Sequence, residues 1–178
     1  MASPSSEREI KAVAISGSPR APSKSKTLAE LMLRALEDAG CSTSMIDVAE
    51  LPAEALLARG PAAEIEAANA VVGAADIVIA ATPTYRALYT GAMKCLFDLM
   101  PPYHLAGKIC VPIQTGASPA HFLAIEYGFR PLFASLDGVG IAGVYATDEQ
   151  FVDGAPNEKL VERVRVVAGT AVGLAEKG

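Results

Sequence analysis

Four hydroxyl side chains, Ser18, Ser23, Ser25 and Thr27, interleave with Arg20, Lys24 and Lys26 in one short stretch. These residue types donate hydrogen bonds and positive charge, which is the chemistry of an anion cradle. Arg20 can fork onto two oxygens of one phosphate, and Lys24 or Lys26 adds a point charge. The flanking elements suit the task. Lys11 to Ile15 is short, apolar and followed by Gly17, the pattern of a buried strand running into a turn. From Thr27 onward Leu28, Leu31, Met32, Ala35, Leu36 and Ala39 recur at helical spacing. The loop therefore feeds a helix start, where unpaired N–H groups and the positive end of the helix dipole attract phosphate. The same hydroxyls also serve as ordinary N-caps, so the loop alone leaves a cradle and a capped turn both open.

The stretch has neither the Gly-x4-Gly-Lys-Ser/Thr spacing of a nucleoside-triphosphate loop nor the Gly-x-Gly-x-x-Gly dinucleotide fingerprint. A phosphate held by hydroxyls points to a mononucleotide, FMN above all. Two further loops offer matching chemistry. Pro83, Thr84, Tyr85 and Arg86 supply a rigid turn, an aromatic face and a cation. Thr115, Gly116 and Ser118 offer backbone that a flat ring can approach closely.

The elements that must position these loops alternate regularly. Strands are expected at 11–15, 42–48, 76–81, 109–114 and 140–145, with Pro112 interrupting the fourth. Helices are expected at 27–39, 62–72, 92–100, 120–136 and 158–176, while 52–60 holds at most a helical turn. Asp76 to Ala81 is apolar on both faces, as in a central parallel strand covered by helices. Right-handed crossovers then give an α/β fold with a five-stranded parallel sheet of order 2-1-3-4-5. Ligands in such sheets bind outside the carboxyl ends of the strands, where all three loops lie. Pro131 lies inside the 120–136 pattern and cannot bond to the carbonyl of Tyr127, so a kink or a one-residue π-bulge is expected there.

Composition narrows the partners. The chain of 178 residues is 51% apolar with a net charge of −5. It has the size of one domain, read as 10–178 after a flexible polar lead-in at 1–9. The charge gives no general attraction to nucleic acid or anionic membrane. No apolar run approaches a membrane span and no signal core is present, so a cytoplasmic protein is expected. Cys41, Cys95 and Cys110 lack Cys-x-x-Cys spacing and are read as buried hydrophobes, with no metal site. His104 and His121 lack a partnered nucleophile and are given helix-start or surface roles.

Gly17-Ser-Pro-Arg-x-x-Ser-x-Ser is followed by Ala81-Thr-Pro-Thr-Tyr-Arg-Ala-Leu-Tyr-Thr-Gly-Ala-Met-Lys-Cys-Leu-Phe-Asp-Leu-Met-Pro101. Together they resemble the NAD(P)H-dependent FMN reductases of flavodoxin-like, three-layer fold. The stretch from Leu105 to Pro131, with Gln114-Thr-Gly-Ala-Ser-Pro-Ala-His121 at its centre, is similar to the subgroup that supplies reduced flavin to alkanesulfonate monooxygenases. The resemblance implies an FMN site. Ser18, Arg20, Ser23 and Ser25, with Lys26, hold the phosphate. Pro83, Thr84, Tyr85 and Arg86 flank the ribityl chain and ring, and Thr115, Gly116, Ala117 and Ser118 close the ring edge. The segment Ala117-Ser-Pro119 is less glycine-rich than the family pattern.

The resemblance further implies hydride transfer from NADPH or NADH to FMN by ring stacking, with no catalytic side chain. It also implies delivery of reduced flavin to a flavin-dependent monooxygenase, and a π-bulge at Tyr127 linked to a tetramer interface and to flavin release. The expected helices 92–100 and 120–136 are apolar on more than one face, so a homodimer or homotetramer is expected. Two other functions fit the same loops. One is a quinone or azo reductase that keeps its FMN, and the other is a flavodoxin-type electron carrier.

Overall fold

The computed structural model describes residues 8–178, so residues 1–7 of the expected lead-in lie outside the described part. In chain order it runs β1 (Lys11–Ser16), α1 (Lys24–Asp38), β2 (Ser42–Asp47), α2 (Ala53–Leu56), α3 (Ala63–Ala74) and β3 (Ile77–Pro83). There follow α4 (Gly91–Asp98), β4 (Ile109–Gly116), α5 (Arg130–Ala134), β5 (Val139–Gly140) and β6 (Val144–Thr147). A small hairpin of β7 (Phe151–Val152) and β8 (Ala155–Pro156) then precedes α6 (Glu158–Ala175). The main sheet is parallel, in the order β2-β1-β3-β4-β5, and β6 also pairs with β4.

Alternation along the strands feeds two helical layers. Ala12, Ala14, Ile77, Ile79, Val111 and Ile113 face Leu28 and Met32 of α1 and Val164 and Ala168 of α6. Val13, Ile15, Val78, Ala80 and Cys110 face the other way, onto Leu96 and Phe97 of α4 and Phe129 and Phe133. Each large side chain buried this completely contributes about 1.5–3 kcal/mol, so both faces of the central strands are anchored. Among the described residues, no helix is long and apolar enough to cross a membrane, and no cluster of three or more His, Cys, Asp or Glu could hold a metal ion.

Three departures from the expected elements have physical causes. First, α1 begins at Lys24, because Ser23 is its N-cap and accepts from the Lys26 N–H at 3.3 Å. Second, the fifth strand position is shared by β5 and β6. Pro112 does not interrupt β4; the effect falls on its neighbour. The Ile141 N–H donates to the Cys110 carbonyl at 3.0 Å, so by alternation Pro112 also faces the edge strand and has no N–H to offer. The chain leaves the ladder there and returns through Gly143, where any Cβ would overlap the Pro112 carbonyl oxygen. Third, the expected helix over 120–136 is three pieces: a 3-10 turn Pro119–His121, a π-turn Ile125–Phe129 and α5. Pro131 sits in the first turn of α5, where its missing N–H is tolerated, and the widened turn before it contains Tyr127.

Cys41 and Cys110 are buried, whereas Cys95 is only half-buried on α4. Burial pushes the Cys110 thiol up to about 12 and also raises that of Cys41. A thiol reagent acts on the thiolate, so at pH 8 one equivalent per folded chain, Cys95, is expected to react fast and the others only on unfolding. Two fast equivalents would contradict this packing.

Candidate functional site: a cleft at the strand ends

The loops after β1, β3 and β4 meet, and hydrogen bonds lock them together. The Gly17 N–H donates to the Ala81 carbonyl at 2.8 Å, and the Thr90 hydroxyl donates to the Gly17 carbonyl at 2.5 Å. Thr90 is also the N-cap of α4 and accepts from the Met93 N–H, while its own N–H donates to the Thr82 hydroxyl. Gly17 must be glycine because a Cβ would lie 2.7 Å from the Met93 methyl carbon and 2.8 Å from its Cβ. The Thr84 N–H donates to the Thr115 carbonyl at 2.6 Å, joining the second loop to the third.

The result is a cleft of about 310 Å³. Ser18, Arg20 and Ser23 line one end, with Pro22 and Lys24; Pro83, Thr84 and Tyr85 line one wall and Thr115, Gly116 and Ala117 the other. Four predicted residues stand behind or beside this lining. Ser25 is buried beneath the floor with its hydroxyl 3.0 Å from that of Ser23. Lys26 turns to Asp47 at the end of β2, and this 2.6 Å pair raises the lysine pKa, chiefly through its hydrogen bond. Arg86 is exposed at the rim, and Ser118 supports the third loop, its hydroxyl accepting from the Ala120 N–H at 3.2 Å. Tyr127 lies apart on the π-turn, 78% exposed.

The electrostatics of the phosphate end are unusual for a helix start. The first turn of α1 has no acidic residue but holds Lys24 and Lys26, both at the positive end of the dipole. That placement is locally unfavourable. It is offset by two carboxylates from distant parts of the chain, Asp47 on Lys26 and Asp148 on Lys24 at 2.8 Å. An added anion would stabilise it further, because Arg20, Lys24 and the first N–H groups of α1 lie at this end of the cleft.

The second loop is a two-residue turn, with Tyr85 and Leu88 exchanging hydrogen bonds at 2.9 and 3.2 Å. Its central residues Arg86 and Ala87 have φ of 51° and 67°. The left-handed region disfavours side chains by about 1–2 kcal/mol per residue, so the turn holds stored strain while it presents Tyr85 to the cleft.

Tyr145 and Asp148 escaped the sequence reading. Asp148 follows β6 and lines the cleft mouth. Tyr145 sits within β6, in register with Gln114, and its hydroxyl donates to the Ser118 carbonyl at 2.8 Å. The available signal was alternation: Val144 and Ala146 face one layer, which turns Tyr145 toward the other, beneath the third loop. Burial raises its pKa and keeps the phenol protonated as a donor.

The cleft suits FMN on its own features. It has an anion-seeking end, an aromatic wall in Tyr85, and backbone at Gly116 held against the Tyr145 phenol with no side chain between them. The Thr84 hydroxyl oxygen is buried behind this wall beside the Tyr145 phenol, which is its hydrogen-bonding neighbour.

Comparison with known proteins agrees in sequence and in fold. Residues 10–152 match the family described as NADPH-dependent FMN reductase. The FMN reductase (NADPH) of Pseudomonas putida KT2440 is 38% identical over 154 residues, covering 84% of this chain and 78% of the relative. The NADH-dependent FMN reductase SfnF of Pseudomonas fluorescens is 35% identical over 173 residues, 94% of this chain and 92% of its own. The solved apo form of an NADH:FMN oxidoreductase, EMOB, superposes with a TM-score of 0.84 at 34% identity, covering 90% of this chain and 87% of that one. The match spans the three strand-end loops and the sheet that carries them, and the chain belongs to the NADPH-dependent FMN reductase family.

Proposed function

We propose that this chain reduces FMN with NADPH or NADH and releases the reduced flavin to a flavin-dependent monooxygenase. The observation that carries the reading is the cleft where the three loops meet, with a lysine-loaded helix start and Arg20 at one end and Tyr85 and Gly116 at the other. In this reading Ser18, Arg20 and Ser23 hold the FMN phosphate with the first N–H groups of α1, Ser25 fixes Ser23 from below, and Lys24 and Lys26 add charge. Pro83, Thr84 and Tyr85 flank the ribityl chain and ring, and Arg86 adds a cation at the rim. Thr115, Gly116, Ala117 and Ser118 bring backbone to the ring edge.

Bound FMN supplies a hydride acceptor for a nicotinamide. The protein's own work is to align two flat rings, keep the cleft walls in place, and offer backbone N–H groups to the charge that grows on reduction. No side chain is required as acid or base. A nicotinamide-consuming reductase of this kind works where those nucleotides are abundant, which supports a cytoplasmic setting.

The proposal includes a homodimer or homotetramer built on the π-turn. Phe122, Leu123 and Tyr127 are 55%, 44% and 78% exposed along this segment, an apolar patch that a second copy would cover. The inner side of the turn touches the second loop: a Cβ on Gly128 would lie 2.6 Å from Leu88, and Phe129 packs on Tyr89 at 5.2 Å between ring centroids. A contact made at Tyr127 thus has a short route to the cleft wall, which supports its link to flavin release. Light scattering is expected to give a dimer or tetramer, and a monomer at working concentration would refute this part.

Anaerobic stopped-flow mixing of protein, FMN and each nucleotide tests the whole. Oxidation of NADPH or NADH with free reduced FMN appearing in solution is expected. Reduced flavin that stays bound would turn the reading toward a quinone or azo reductase, and no oxidation at all toward an electron carrier.

A further inference from the structure

The geometry points to Tyr145 as the residue that positions the third loop against the flavin, and to the Gly116–Tyr145 contact as the device that sets the loop's height. This rests on the FMN reading above. Four observations meet at the phenol oxygen. It donates to the Ser118 carbonyl at 2.8 Å, tying the far end of the loop to the sheet. It occupies the space where a Cβ of residue 116 would stand, with the Thr84 hydroxyl 3.1 Å from that same point. Gly116 and Thr84 both line the cleft. And β6 holds Tyr145 in the ladder, paired in register with Gln114 of β4, so the phenol stands on a rigid strand and not on a loop.

The consequence is mechanical. A loop whose backbone N–H groups must meet a ring edge has to be held to within about 0.5 Å for those bonds to count. Ser118 caps the following 3-10 turn through its side chain and is held to Tyr145 through its carbonyl, so both ends of that residue are fixed. Gly116 lies flat on the phenol because it has no side chain to lift it. Tyr145 touches neither reactant in this arrangement. It acts through the backbone of residues 116–118, and its effect is greatest where that backbone meets the negative charge of reduced flavin.

Binding measurements test this without turnover. Tyr145→Phe removes the hydroxyl alone. Oxidised FMN is expected to bind about threefold more weakly and reduced FMN, titrated anaerobically, about tenfold more weakly, in line with loss of one loop-fixing hydrogen bond. The melting temperature of the apoprotein should barely move. Gly116→Ala is expected to cost about tenfold in FMN affinity, because its methyl group overlaps the phenol. The double variant should bind no more weakly than Gly116→Ala alone, since removing the hydroxyl frees the space that the methyl group needs.

Multiplying losses, or equal losses for both flavin states, would overturn the assignment, as would unchanged binding in Tyr145→Phe. If Tyr145→Phe does not fold, Gly116→Ala alone carries the test. Faster amide exchange at 116–118 with unchanged exchange over 109–115 supports the contact, and unchanged exchange at 116–118 overturns it. Failure of the wild-type chain to bind FMN would instead sink the functional reading itself.

Discussion

Arg20→Ala is expected to weaken FMN binding about thirtyfold while leaving riboflavin binding nearly unchanged. The two ligands differ by the phosphate alone, so the comparison isolates the anion-binding end of the cleft. Of the cations there, Lys24 is already paired with Asp148 and Lys26 with Asp47, whereas no carboxylate pairs with Arg20 among the described residues. Its guanidinium is therefore free to take the phosphate, and a charge-assisted hydrogen bond of this kind is worth about 2 kcal/mol, or roughly thirtyfold in Kd. Arg20→Lys should recover part of the loss, since it restores charge without the fork. Fluorescence quenching titrations of both flavins read the effect. Equal weakening of riboflavin and FMN would show that Arg20 shapes the loop and does not bind phosphate.

The second large effect concerns stability. Gly143→Ala is expected to destabilise the fold by about 2–4 kcal/mol, because the new methyl group would overlap the Pro112 carbonyl and meet its ring at 2.6 Å. Both obstacles belong to a central strand that cannot yield. For a chain of this size each kcal/mol is worth about 2–4 °C, so the melting temperature should fall by about 5–15 °C. Gly40→Ala is the fitting contrast. Gly40 has φ of +86° after α1, but a Cβ there meets nothing within 4 Å. Only the conformational cost of about 1 kcal/mol is expected. Thermal unfolding followed by circular dichroism separates the two, and a Gly143→Ala protein melting close to wild type would mean that β6 can shift away from Pro112.

The sheet order was legible because its evidence is local. Asp76 to Ala81 is apolar on both faces, and each expected strand is followed by a helical period. What escaped depended on contacts between distant residues. Thr27 and Ser23 are equally good caps on paper, and two lysines at a positive helix end argue for the later start. The earlier start becomes favourable only with Asp47 and Asp148 in place, and neither can be paired with a lysine from spacing alone. The same long-range pairing draws Lys26 toward β2 and leaves Lys24 at the cleft.

The helix over 120–136 shows a similar limit. Pro131 announces a break in the α-helical ladder, but dividing the segment into a 3-10 turn, a π-turn and α5 depends on Phe129 reaching Tyr89 and Phe133. The three site loops could be read because their chemistry lies in consecutive residues after strand ends. Tyr145 could not, because it acts from within a strand on a loop that precedes it by 27 residues.

The gap between β5 and β6 also bears on strand addition at this edge of the sheet. An intact edge strand exposes a continuous row of N–H and C=O groups, onto which another chain's strand can add, and such growth has no natural end. Here the row stops after two residues and resumes for four, with the Pro112 crossing between them. A foreign strand finds no template long enough to hold. Fibre-like stacking through this edge is thereby discouraged, whereas the opposite edge keeps an unbroken six-residue strand in β2.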